Sequence, residues 1–188
     1  MTKINIGSNN GFIYMPIALL GTKIDGKANF MALAWVAKAH FNPPMIVAAV
    51  TRSHLSDKAI RENETFSVNF PGNEKIEVTD YCGLVSGENV DKSELFEVYY
   101  GESDTAPMIK EFPISLECKL REIHEMEPMD LIIAEITGTY TEEKYLTDGL
   151  PDVKKINPVV YTVPDNNYWN FGENIGKAYS IGNNLKFF

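Results

Sequence analysis

Apolar and polar positions alternate with a period of two through much of this chain, and that period predicts strands. In "ISLECKL", Ile114, Leu116, Cys118 and Leu120 share one face. The stretches "FPISLECKLREIHE" and "DLIIAEITGTYTEE" predict two long strands that turn at Glu127 and Pro128. Residues 17–24 and 29–37 predict a β-hairpin around "DGK" at 25–27. "PPMIVAAVT" predicts a short apolar strand over 45–50, and "TFSVNFP" a strand ending at Pro71. The period changes in "SDKAIRENE", which predicts about two turns of helix with Ile60 facing inward. Residues 74–97 also read as helical. Beyond Lys144 the chain reads as loop, punctuated by Pro151, Pro158 and Pro164. Tyr168, Trp169 and Phe171 are expected to pack its end onto the rest. Strands joined mainly by hairpins, with few short helices, predict a mainly β fold of barrel type rather than a parallel α/β sheet.

Composition narrows the partners. With 188 residues, 44% of them hydrophobic, the chain can bury a proper core, and residues 1–188 are expected to form a single domain. A net charge of −9 argues against nucleic acid or an anionic membrane as the main partner, because both require a basic surface. No apolar run approaches membrane-spanning length. The first residues lack a charged and then apolar leader, so the expected location is the cytoplasm, with reduced thiols. The two cysteines form no CxxC pair and the three histidines have no ligand spacing, so no structural metal site is expected. Cys118 reads as a small core residue.

No glycine loop of either familiar nucleotide-binding kind is present. GxGxxG is missing, and "GENIGKAYS" is one residue short of a P-loop and lacks the following Ser or Thr. The stronger anion candidate is "VTRSHLSDK". Thr51, Ser53 and Ser56 carry hydroxyls, Arg52 and Lys58 carry charge, and the segment enters a predicted helix whose free N–H groups suit phosphate. The plainer alternative is an ordinary helix cap formed by Ser53 or Ser56. In "NFMALAW", alternation puts Asn29, Met31, Leu33 and Trp35 on one face, and Phe30, Ala32, Ala34 and Val36 on the other. An amide, a thioether, an aliphatic group and an indole together suit a flat amphipathic ring. They equally describe a half-buried strand with its Asn just after the turn.

These stretches resemble, in order, the flavin reductase-like, FMN-binding split-barrel family, and within it the flavoredoxin-like branch. The matching elements are "MPIALLGT", "ANFMALAW", "NPPMIVAAVTRSHLS", "IRENETFSVNFP", "DYCGLVSGENVDK", "ISLECKL", "DLIIAEITG" and "YWNFGENIG". The resemblance implies a Greek-key split β-barrel with a few short helices, assembled as a homodimer with FMN near the subunit interface. Its N-x-M-x-x-x-W signature falls on Asn29, Met31 and Trp35, with Phe30 and Ala34 between them. Its phosphate segment falls on Thr51, Arg52, Ser53, His54 and Ser56. "SVNFP" supplies Asn69, beside the pyrimidine edge, and "SGENVDK" supplies Ser86, Gly87, Asp91 and Lys92. Lys92 resembles a basic residue that approaches the flavin; without the family match it reads as a solvated lysine paired with Glu88 or Glu94. Many relatives carry a His after the Asp that precedes the last long strand, whereas here Leu131 follows Asp130. His54 and His124 are the remaining substitutes.

The resemblance implies hydride transfer from NADH or NADPH to FMN, for which the protein supplies position and electrostatics rather than a catalytic acid, base or nucleophile. Two other functions fit the same residues. One is a flavoredoxin-like electron carrier reduced by a protein redox partner, toward which the acidic charge leans. The other is a non-redox split-barrel ligand binder. Cys82, close in sequence to Lys92, is expected near the ring.

Overall fold

The computed structural model describes residues 1–185, so residues 186–188 of the expected domain lie outside the described residues. In chain order the elements are β1 (Ile13–Pro16), β2 (Ala18–Ile24), β3 (Lys27–Leu33), β4 (Val36–Phe41), β5 (Pro44–Thr51), α1 (Leu55–Asn63), β6 (Thr65–Phe70) and α2 (Ile76–Leu84). Then come β7 (Val98–Tyr99), β8 (Met108–Ile109), β9 (Ile114–Met126), β10 (Met129–Thr141), β11 (Leu146–Thr147), β12 (Leu150–Pro151), α3 (Val153–Ile156), β13 (Val159–Val163) and β14 (Asn167–Asn170).

Seven strands form one sheet in the order β3-β2-β6-β9-β10-β5-β4. β3 and β4 are consecutive in the chain yet lie on opposite edges. Ala34 and Trp35 span from one edge to the other, and the Ala49 N–H donates to the Trp35 carbonyl at 2.9 Å. The chain itself therefore joins the two edges of the sheet at this link, and β3 pairs with β2 alone among the described strands. That geometry is a split barrel, as expected. A single strand over 29–37 does not form, because the crossing ends β3 at Leu33 and Val36 starts β4. Trp35 consequently does not continue the alternation of Asn29 and Met31.

The alternating faces fill two cores. Leu20, Leu33, Ala48, Phe66, Val68 and Ile132 pack inside the barrel around the fully buried Cys118. The opposite face of β2 and β3 places Leu19 and Phe30 against Cys82, Ile109 and Phe112. Phe96 joins edge-on, with ring centroids 5.2 Å from Phe30. Burying an aromatic side chain of this kind contributes about 1.5–3 kcal/mol, so β3 is held from both sides. The β2–β3 turn needs positive φ at both central positions, supplied by Asp25 (50°) and Gly26 (83°).

α1 appears where the period of 3.6 predicted it and buries Ala59 and Ile60. Its N-cap position is His54, with no side-chain cap hydrogen bond, so neither Ser53 nor Ser56 caps it. The expected helix over 74–97 breaks after Leu84: Val85 turns extended, and only a short 3-10 turn over Lys92–Leu95 follows. The segment after Lys144 is more regular than loop, since β13 pairs with both β1 and β14. The strand-forming partner of β13 lies about 145 residues away in sequence, beyond any local signal. Tyr168 anchors β14 through its hydroxyl, 2.7 Å from Asp80, while Trp169 and Phe171 stay largely exposed. Among the described residues no helix is long and apolar enough to cross a membrane.

Candidate functional site

The free edge of β3 faces a cleft. Its other walls are residues 53–56, entering α1, and residues 82–92, leaving α2. A volume of about 270 Å³ there is lined by Asn29, Met31, Ser53, His54, Ser56 and Lys92 among others. A second volume of about 400 Å³ adjoins it through Asn29, Leu55, Gly87, Glu88 and Lys92 and adds Lys27 and Asp91. A third, about 170 Å³, lies toward the link of β3 and β4, between Met31, Ala34, Trp35, Thr51, His54 and Met129. The shared lining makes one trench along the split, within the usual size range for small-ligand sites of about 300–1,000 Å³.

Lys92 is its most unusual residue. The side chain is buried, with the residue only 4% exposed. Nζ donates to the Phe30 carbonyl at 3.0 Å and the Cys82 carbonyl at 2.7 Å. Among the described residues no carboxylate lies within ion-pair distance of it, so it is neither solvated nor paired with Glu88 or Glu94. Burial pushes its pKa down, which measures the cost of holding a charge there. An ammonium has three donors, and the two carbonyls take two of them.

Opposite Lys92 the chain enters α1. The first turn of a helix leaves N–H groups without intrahelical partners, and this one has no side-chain cap. Ser56 is buried and receives a hydrogen bond from Asn29 Nδ2 at 3.4 Å. His54 Nδ1 sits 2.9 Å from Met31 Sδ. Gly87 is needed where it is: a Cβ at this position would run into the Asn29 side-chain amide. At the outer rim Lys27 pairs with Asp91 at 2.7 Å, and Asp91 also accepts from Ser93. Those hydrogen bonds, the Lys27 one foremost, lower the Asp91 pKa to about 2.

The expected residues therefore converge, with three exceptions. Phe30 turns its ring into the second core and offers the trench only its carbonyl. Asn69 is fully buried inside the protein: its amide donates to the Leu19 carbonyl and Ser67 Oγ, and its oxygen accepts from Ser115 Oγ and the Ile109 N–H. Arg52 points away, to Asp130 at 2.6 Å, with Glu125 and Glu127 at 3.4 and 3.5 Å. A carboxylate was closer in space than any anion site, which the spacing of "VTRSHLSDK" could not reveal. His124 is exposed on β9 across from Leu131, outside the trench. Sequence reasoning missed Ala32, Leu55, Val85 and Glu88 as lining residues, and Gly83 beside Cys82. The two glycines flanking 84–86 were the available signal. Cys82 does line the cleft, but burial raises its pKa to about 11, so it is a neutral thiol.

The donors and walls fit an anionic, flat ligand. An uncapped helix N-terminus with two serine hydroxyls suits a phosphate. A buried cation and the Asn29 amide suit the polar edge of a ring, and Met31, Ala32, Leu84 and Val85 suit its apolar body.

Comparison with known proteins agrees. The flavin reductase like domain matches residues 11–162, and the chain belongs to that family. It is similar to the flavoredoxin of Methanosarcina acetivorans, 49% identical, with a TM-score of 0.94 over 97% of this chain and 98% of the other. The flavoredoxin of Desulfovibrio vulgaris (Miyazaki F) is 33% identical, with a TM-score of 0.87 over 97% of this chain and all of that one (100%). An uncharacterized protein of Aeropyrum pernix is 24% identical over 166 residues, which are 86% of this chain but only 62% of that protein. This chain thus spans less than two thirds of the length of that curated relative.

Proposed function

We propose that residues 1–188 form a single FMN-binding domain that accepts electrons as hydride from NADH or NADPH. The observation that carries this reading is the buried, carboxylate-free ammonium of Lys92 facing the uncapped start of α1 across the trench. Bound FMN would supply the redox chemistry. Ser53, Ser56 and the first N–H groups of α1 would hold its phosphate. Asn29 and Lys92 would orient the ring's polar edge, and Met31, Ala34 and Trp35 would flank it. Lys92 favours negative charge on whatever group lies at that wall, since among the described residues no carboxylate lies within ion-pair distance of its own charge. The open face of the trench leaves room for a nicotinamide to approach.

A second reading, a flavoredoxin-like carrier reduced by a protein partner, draws support from the two flavoredoxin likenesses and from the net charge of −9. A homodimer is supported by the outer face of β5 and β10. There the cross-strand pairs Leu131–Ala49 and Ile133–Val47 are apolar where a solvated sheet face would be polar. Two free, buried cysteines fit a cytoplasmic protein.

The deciding experiment is an anaerobic visible spectrum of FMN-loaded protein before and after NADH and then NADPH. Bleaching of the flavin bands supports direct hydride acceptance. A bound flavin that stays oxidised with both refutes it in favour of the carrier, and protein that takes up no FMN overturns both readings.

A further inference from the structure

Asp130 lies outside the trench and touches none of the residues proposed to hold a ligand. It is nevertheless fully buried (0% exposed) and charged. Burial pushes its carboxyl up, but the hydrogen bonds from Arg52, the Met126 N–H and Arg61 outweigh that and hold it below the ordinary carboxylate range. Its Oδ1 accepts from Arg52 Nε at 2.6 Å and from the Met126 N–H at 3.2 Å, while Oδ2 accepts from Arg61. Arg61 also donates to Asp57, in the first turn of α1, at 2.9 Å. The Arg52 N–H donates to the Pro128 carbonyl at 3.2 Å.

Arg52 and Arg61 bracket residues 53–56, which carry the hydroxyls and N–H groups facing the trench. One buried carboxylate thus grips both the entry of the segment and the far end of its helix. The tip of the β9–β10 hairpin is welded to the same place. We infer that Asp130 is a positioning residue for the anion-binding segment: through Arg52 and Arg61 it fixes Ser53, Ser56 and the start of α1 against the phosphate of the ligand. This rests on the reading that a flavin phosphate lies there. Arg52, expected from sequence to meet that phosphate, acts instead by orienting its neighbours.

The test compares FMN with riboflavin, which has the same ring and no phosphate, by fluorescence titration of apo-protein. Wild type is expected to prefer FMN. Asp130→Asn and Arg52→Gln are each expected to weaken FMN binding by about tenfold or more, the worth of a charge-assisted hydrogen bond, while riboflavin stays within about twofold. A role confined to folding would lower both ligands alike. Arg52 is partly exposed, so its variant keeps the question answerable if Asp130→Asn folds poorly. If the FMN-to-riboflavin ratio is unchanged or rises in the variants, the clamp is overturned; a rise in Asp130→Asn with a fall in Arg52→Gln would mean that freed Arg52 is itself the anion ligand. If wild type shows no preference for FMN, the phosphate placement fails and the inference falls with it.

Discussion

Replacing Lys92 with methionine removes one charge and keeps most of the shape. Its consequences for the free and loaded protein have different sizes. In the free protein two effects oppose. The variant no longer buries an ammonium, a cost of several kcal/mol per ion in real proteins. It also abandons hydrogen bonds to the Phe30 and Cys82 carbonyls, and bonds to a charged group are worth about 1.5–3 kcal/mol each. These nearly cancel, so thermal stability of the apo-protein is expected to shift by less than about 2 kcal/mol in either direction. In the loaded protein the third donor and the charge are lost with no compensation. One charge-assisted contact of about 1.5–3 kcal/mol corresponds to about a 10- to 150-fold rise in the FMN dissociation constant. Flavin fluorescence titration reads the second quantity and calorimetric unfolding the first. Lys110→Ala is the control, because Lys110 pairs with Glu97 on the surface away from the trench. The pH dependence has a definite sign. The Lys92 pKa is lowered in the free fold. Its destabilising charge is therefore present at neutral pH and relieved as pH rises from the folded pKa toward the unfolded value of about 10.4. FMN affinity should accordingly fall more steeply over that alkaline window in wild type than in Lys92→Met. An affinity for Lys92→Met within twofold of wild type, with both proteins folded, would refute the reasoning.

Three further outcomes follow from the same geometry. Asp91 has its pKa lowered to about 2, so its contribution with Lys27 is present above about pH 4 and lost as pH falls toward 2; acid unfolding of wild type and Asp91→Asn should differ at neutral pH and converge below that window. Gly87→Ala should displace Asn29 and weaken FMN binding by about fivefold or more, the worth of one neutral hydrogen bond, in the same titration. Cys118→Ser places a hydroxyl in a fully apolar surrounding and should destabilise by about 1–3 kcal/mol in denaturant melts, whereas Cys118→Ala costs only volume.

How much of this was legible beforehand depends on the range of the interaction involved. The long hairpin of β9 and β10, the "DGK" turn and α1 follow from periodicity and local turn chemistry, and each formed within a few residues of where the pattern placed it. Asn29, Met31, Ser53 and Ser56 were candidates from strand alternation and helix-entry chemistry, each beside a plainer alternative, whereas Gly87 and Lys92 came only from the family resemblance, because neither residue type demands a ligand. The errors at the site involve contacts distant in sequence. Trp35 reads as a continuing strand residue until β3 and β4 are seen on opposite edges. Arg52 reads as a free cation until Asp130, 78 residues away, is found against it. Asn69 reads as a site residue until its amide is found engaged with Leu19, Ser67, Ile109 and Ser115.

The sequence by itself determined the class of fold, because the alternation that makes strands and the hairpin turns that join them are local properties of the chain. It also determined the acidic charge, which argues against nucleic acid or an anionic membrane as the main partner. Tertiary structure alone decided which charges are spent and which remain available. Arg52 and Lys92 are both cations in polar-looking segments, yet one is neutralised by a buried carboxylate and the other meets only carbonyls. The physical reason is that Coulomb energy and desolvation depend on distance and burial, and in a split barrel both are set by segments far apart in the chain.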